Sequence, residues 1–445
     1  MISSGSAIIC LFLTMHLGKA QSSPLKIAHQ QFRLANGLRV ILHQDLRLPR
    51  VVVNVLYRVG SCNDPAGRTG MAHLFEHLMF MGTKRVPDHQ FDLLMEQVGG
   101  SNNAFTSEDV TDYYDVGPSR LLETLLWLEA DRMATLAQAL TRKKLDLQRD
   151  VVLNERRQSY ENAPYGIAHL ELPSLLYPPK HPYSWPIIGS RQDLKAVSVE
   201  DTKKIFQRFY SPRNASLVIA GRFDPKQAQK LVETYFSRIP AATPLRQPKS
   251  APVNLTKEVR RIYPDKVELP KLFWAWHSPP QFKPGDAEMD LAASILTRGK
   301  ESRLYRTLVY EKKLALDVEA HQESRHLGSL FVIEVTARAG VDLHKLELAT
   351  LHLLQGFVAQ PPSAKEVERA RNGFEAHFIS RLQRLSRRAE LLNMYFASVG
   401  QPDYLEQDLA RYRTATASSI HRWSKKVLHP KRRVVLFVVP SEKGA

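Results

Sequence analysis

The sequence predicts a chain of mixed helix and strand built as two related domains, and three observations predict it. At 445 residues the chain exceeds what one hydrophobic core usually organises. Short β-branched runs alternate with segments of helical periodicity along its length. A helical segment, a Pro-marked turn and an apolar strand at Ile205 to Gly221, with Pro212, recur 218 residues later at Trp423 to Val439, with Pro430.

From the N-terminus, Ala7 to Leu13 is apolar but too short to span a bilayer, and Gly18-Lys19-Ala20 offers a small-residue cleavage site before Gln21. Residues 1–20 are therefore expected to be a signal peptide, which makes the mature chain periplasmic or secreted. Its removal takes Cys10 away and leaves Cys62 alone, so no intramolecular disulfide is expected. No later apolar run is long enough for a membrane-spanning helix.

Leu38 to His43 and Val51 to Val59 read as strands. The Gly- and Pro-containing stretch Gly60 to Gly70 reads as a loop, and Met71 to Met81 as a helix that starts directly after it. Asn214 to Gly221 is another strand pattern, with Pro225 to Phe236 an amphipathic helix behind it. Prolines at 240, 244, 248 and 252 mark an interdomain linker. The expected organisation is a first domain at 21–240, a linker at 241–254 and a second domain at 255–445.

Composition is that of a globular protein, with 43% hydrophobic and 9% aromatic residues, which excludes a disordered or collagenous chain. The formal net charge is +17. The basic residues are spread along the sequence, and the densest group, Lys425, Lys426, Lys431, Arg432 and Arg433, leads into an apolar run. No nucleic-acid-binding signature accompanies the charge, so nucleic acid is not an expected partner.

The sharpest motif is His73-Leu74-Phe75-Glu76-His77. On a helix, His73 and His77 lie one turn apart on one face, so two imidazoles can meet one ion, with Glu76 beside them. A catalytic zinc needs three protein ligands and an open position, and a neighbouring carboxylate takes the proton of the attacking water. Two helical histidines satisfied by hydrogen bonds are the structural alternative. For the third ligand the sequence offers Glu155, on the aliphatic helix pattern Asp150 to Arg157, and its rival Glu161.

Taken with further segments, the motif resembles the pitrilysin and insulysin family of zinc metallopeptidases, above all its short branch that includes mitochondrial processing peptidase subunits. Those segments are Gly60-Ser61, Asp64-Pro65, Gly82-Thr83, Gly99 to Ser107 with Thr111 and Tyr113, Asn154-Glu155-Arg156-Arg157, His181-Pro182-Tyr183, Gly189-Ser190 and Ser302-Arg303-Leu304-Tyr305. The resemblance covers nearly the whole mature chain. It implies an α+β fold of two homologous domains, each a mainly antiparallel sheet covered by helices, together forming half of a clam-shell chamber.

The resemblance also implies one Zn2+ per chain held by His73, His77 and Glu155, with Glu76 as general base. Asn103 and Ala104 correspond to an edge strand that pairs with an extended substrate backbone. Two positions depart from the family pattern. Gln148 stands seven residues before Glu155, where a second glutamate is usual, and carries no charge to support a ligand. Val309 and Leu316 stand where an arginine and a tyrosine of the second domain are expected to bind substrate and stabilise the oxyanion.

The expected protein is thus a zinc endopeptidase subunit acting on unfolded peptides, completed by a zinc-less homologous chain in a heterodimer, with a homodimer as the competing form. The family branch favours a bacterial periplasmic location. The alternative is a non-catalytic scaffold or assembly subunit.

Overall fold

The computed structural model describes residues 25–245 and 247–441. The expected signal peptide at 1–20 lies outside the described residues.

Two sheets organise the chain. The first contains β1 (Gln30–Arg33), β2 (Arg39–Gln44), β3 (Arg50–Tyr57), β4 (Ser101–Thr106), β5 (Thr111–Pro118) and β6 (Ala215–Gly221), in the order β1-β2-β6-β3-β5-β4. The second contains β7 (Val259–Asp265), β8 (Lys271–Ser278), β9 (Ala315–Glu323), β10 (Ser329–Ala337) and β11 (Val434–Pro440), in the order β7-β11-β8-β10-β9. Apart from β1 the two orders are the same, strand for strand. In each, only one pair is parallel, β2 with β6 and β7 with β11. The remaining pairs are antiparallel.

The recurrence at 218 residues is therefore a repeat of topology. The helix Val199–Phe209 precedes β6 as the helix Ala417–Val427 precedes β11. The fold is α+β, with two related halves, each a mainly antiparallel sheet with helices on it.

Strand boundaries fall within a residue or two of those expected, and Pro225–Phe236 is a helix as expected. The helix expected over Met71 to Met81 ends earlier, at Leu78. There the N–H groups of Phe80 and Met81 turn to the carbonyls of His77 and Leu78, tightening the last turn. The chain then leaves through Gly82, whose φ of 72° and close approach to the Val86 carbonyl admit no side chain.

Each sheet is apolar on both faces. On β3, Val51, Val53, Val55 and Tyr57 face the helices of their own half, whereas Val52 faces the other way, with Ile41, Val218 and Ala220. That outer face is covered by Ala389, Leu392 and Tyr395 of the helix Leu385–Val399, from the second half. The exchange is reciprocal. Phe273 and Ala275 of β8 and Val434, Leu436 and Val438 of β11 pack under Ala168, Leu172 and Leu176 of the helix Gly166–Leu176, from the first half.

Within the first of these contacts sits a buried polar chain. The Asn393 amide donates to Asn54 Oδ1 at 2.6 Å, and the Asn54 amide donates to both oxygens of Asp112 at 2.8 Å. Ser216 donates its hydroxyl to Asn393 Oδ1. Replacing Asn393 by Leu leaves the Asn54 and Ser216 groups buried without their partner, so Asn393→Leu is expected to destabilise the protein by about 1–3 kcal/mol. Urea denaturation with an unchanged midpoint would refute this account of the contact.

Candidate metal centre

The helix Met71–Leu78 buries Met71, Ala72, Leu74, Phe75 and Leu78 and leaves His73, Glu76 and His77 on its other stripe. Its first turn is held from the preceding loop. The buried Asp64 carboxylate accepts from the N–H groups of Gly70 and Ala72 at 2.8 Å, doing the work of an N-cap. Burial pushes the Asp64 carboxyl up to about 8, against the pull of those N–H groups. Gly70 has a φ of 85°, and a Cβ on the facing Gly189 would lie 2.2 Å from the Thr69 carbonyl, so two glycines let these backbones meet.

Glu155 comes from the penultimate position of the helix Arg142–Arg156, which continues as a π-helical turn over Arg157–Glu161. Leu145 and Val152 anchor that helix in the core. The structure brings the two helices together: Glu155 Oε1 lies 3.6 Å from His73 Nε2, and Oε2 lies 3.3 Å from His77 Nε2. The two imidazoles stand nearly perpendicular, 80° apart, with ring centroids separated by 4.9 Å. The three donor atoms all lie within 4.8 Å of one another.

Donors that each sit about 2.0–2.2 Å from a tetrahedral zinc are roughly 3.3–3.5 Å apart. The observed separations to Glu155 bracket that range, and two imidazoles with one carboxylate is a donor set that suits zinc. The residues fit the ion. Burial is the main cause that lowers the pKa of His73 to about 4, so it is neutral at pH 7, the form in which it can ligate. Its Nδ1 is buried without a hydrogen-bond partner. For Glu155, the hydrogen bond with His77 holds the carboxyl below the usual carboxylate range.

Glu161, the rival, points elsewhere: its Oε1 accepts from Arg156 Nε at 2.9 Å and from Arg191 Nε at 2.8 Å. Gln148 donates to Met81 Sδ at 2.7 Å rather than to any of the three donors. Val309 is buried in the second half's core and Leu316 is exposed on β9, and neither has a hydrogen-bonding side chain.

Glu76 accepts at Oε2 from Thr106 Oγ1 at 2.5 Å. Burial raises its pKa, and the Thr106 hydroxyl and His77 oppose that rise. Thr106 is the last residue of β4, the edge strand that carries Asn103 and Ala104, opposite Tyr114 and Tyr113 of β5. The Ala104 N–H is engaged by its neighbour's side chain, Asn103 Oδ1, at 2.8 Å.

The turn after Thr106 is tied to the second half. Arg325 pairs with Glu108 at 2.9 Å, and Asp109 accepts from the His326 N–H at 3.0 Å and, within the first half, from Tyr183 Oη at 2.6 Å. Sequence reading missed Thr106, Asp64 and Arg325. Thr106 and Asp64 stand inside recognised segments, but only the folded chain shows what they touch.

Metal analysis of the purified chain is expected to give about one zinc, sharply reduced in Glu155→Gln and His77→Ala but retained in Glu161→Gln. Equal loss in the Glu161 variant would sink the assignment of the third donor.

Two family models match the chain, "Insulinase (Peptidase family M16)" over residues 39–180 and "Peptidase M16 inactive domain" over residues 196–374. The zinc protease PqqE of Helicobacter pylori is 28% identical over 417 residues, which cover 91% of this chain and 91% of that protein. The probable mitochondrial-processing peptidase subunit beta of Arabidopsis thaliana is 23% identical over 421 residues, covering 92% of this chain and 77% of the relative. A solved protease from Helicobacter pylori shares the fold with a TM-score of 0.86 and 25% identity, over 94% of this chain and 100% of the other. The periplasmic protease PqqL from Escherichia coli has a TM-score of 0.74 at 18% identity, and 95% of this chain covers 49% of it.

Proposed function

The chain belongs to the insulinase family, peptidase family M16, and on that premise we propose that it is a zinc-dependent endopeptidase subunit that hydrolyses unfolded peptides. The observation that carries this reading is the convergence of His73, His77 and Glu155 with a second, non-ligating carboxylate, Glu76, on the helix stripe of the two histidines.

In this reading His73, His77 and Glu155 hold the ion. When bound, zinc supplies a Lewis acid that polarises a peptide carbonyl and acidifies water. The Glu76 carboxylate takes the proton from the attacking water at one of its oxygens and later delivers it to the leaving amine nitrogen. Thr106 holds Oε2 of Glu76, which leaves Oε1 for that proton. The edge strand β4 binds the substrate backbone as an added strand through Asn103 and Ala104, and the Asn103 side chain yields the Ala104 N–H to the substrate carbonyl.

With Val309 and Leu316 in place of an arginine and a tyrosine, the chain lacks donors for the oxyanion from its second half. A zinc-less homologous chain that supplies them completes the chamber; a homodimer is the competing form. The match to half of PqqL, a protease described as periplasmic, supports a two-half assembly and a periplasmic location. The matched description of residues 196–374 as an inactive domain favours a second reading, a non-catalytic assembly subunit.

Quenched-peptide cleavage separates the two, with activity expected on mixing with the zinc-less homologue. Glu76→Gln is expected to keep its zinc and lose about 10²–10⁴ in kcat. Absence of cleavage under any mixing would favour the assembly subunit.

Thr106→Val gives the finer check. The hydroxyl favours the ionised form of Glu76, so its removal raises that pKa further and moves the acidic limb of kcat/KM to higher pH. An unmoved limb would remove Thr106 from the site.

A further inference from the structure

At the same end of the first sheet as the turn that follows β4, but displaced across the strand order toward β1, the strand register gathers four arginines. Arg33 closes β1 directly opposite Arg39, which opens β2. Arg39 is in turn level with Ser216 of β6, and Tyr57 of β3 is level with Ala215. Arg58, just after β3, and Arg213, just before β6, are thereby brought to the same place. The four line one concavity of about 310 Å³, closed by Pro244 and Phe396, and no carboxylate lines it.

All four arginines are exposed, yet like charges directly opposite on neighbouring strands repel, and four cations gathered without a counter-charge are unfavourable. Among the described residues, none of the four forms an ion pair. Burial and then the charge of Arg39 hold the Arg58 guanidinium below its usual range, with no acid opposing them. Two of the side chains are held in place. The Arg39 guanidinium lies 5.1 Å from the centre of the Phe396 ring. The stem of Arg213 packs over Gly37, where φ is 97° and a Cβ would come within 3.3 Å of it.

We propose that this pocket is a binding site for a phosphate-bearing anion carrying at least two negative charges, such as a diphosphate or the phosphomonoester headgroup of a lipid. Guanidinium forks match phosphate oxygens in pairs, so several arginines converging on one concavity recognise that group better than a carboxylate or a chloride. The volume is at the small end of ligand pockets and exceeds what one simple ion fills. None of His73, Glu76, His77 and Glu155 lines the pocket, and the proposal is independent of the peptidase reading.

The test compares the mature chain with the double variant Arg39→Gln/Arg213→Gln. A charge-matched control, Lys226→Gln/Lys230→Gln, changes two exposed lysines of the helix Pro225–Phe236. Titration with inorganic pyrophosphate probes a free phosphate, and co-sedimentation with phosphatidic acid vesicles, against phosphatidylcholine vesicles, probes a phosphomonoester headgroup. Any chelation of zinc by pyrophosphate is common to all three proteins and cancels in the comparison.

Binding in either arm that weakens by about tenfold or more in the arginine variant and persists in the lysine control supports the site, and the arm that responds identifies the source. No binding in both arms, or the same weakening in the control as in the arginine variant, overturns it. The second outcome would mean only general attraction to a chain of net charge +17.

Discussion

Neither sheet can be buried by its own half. Both present apolar side chains on two faces, and the helices of one half cover only one of them. The second face of each is closed by a helix from across the chain, Leu385–Val399 on the first sheet and Gly166–Leu176 on the second. Burial of an apolar residue is worth about 1.5–3 kcal/mol, so exposing a whole sheet face costs more than a domain's net stability. The two halves are therefore one folding problem, and the Asn393, Asn54 and Asp112 chain pins their mutual register where apolar packing alone would tolerate sliding.

The metal centre inherits this rigidity. Two of its donors ride one short helix, whose start is fixed by Asp64 and by the contact between Gly70 and Gly189, and the third rides a longer helix anchored in the same core. Neutral His73, ionised Glu155 and a Glu76 whose pKa is raised by burial differ in charge state because they differ in burial and partners. The end of β4 reaches the centre through Thr106, and the second half reaches β4 through Arg325 and Asp109.

The repeated topology also shows how one plan divides its labour. In the second half, the helix that follows β8, Asp286–Thr297, carries its acids into the fold: Asp286 pairs with Arg411, and Asp290 accepts from Tyr412. Among the described residues the only group of three metal-binding side chains is His73, His77 and Glu155. The two halves share the sheet plan and cover one another, but among the described residues only the first carries the donor set.

Much of this was legible in the sequence. The His73 and His77 pair follows from helical periodicity, and the recurrence at Ile205 and Trp423 follows from local pattern, because both are set by residues close together along the chain. Which carboxylate approaches the histidines was legible only through the resemblance, not from helical pattern: Glu155 and Glu161 stand on one continuous helical stretch, and in the fold Glu161 is engaged by Arg156 and Arg191. The exchange of covering helices was equally hidden, since strands apolar on both faces say that something must cover them but not what.

The sequence by itself determined the element types, the repeat and the chemistry offered by one helix, all products of local pattern. The tertiary structure alone decided how Glu155 comes to lie beside the two histidines, the hold of Thr106 on Glu76 and the gathering of four arginines at one sheet end. Those depend on strand register and on contacts between residues far apart in the chain, which no local periodicity encodes.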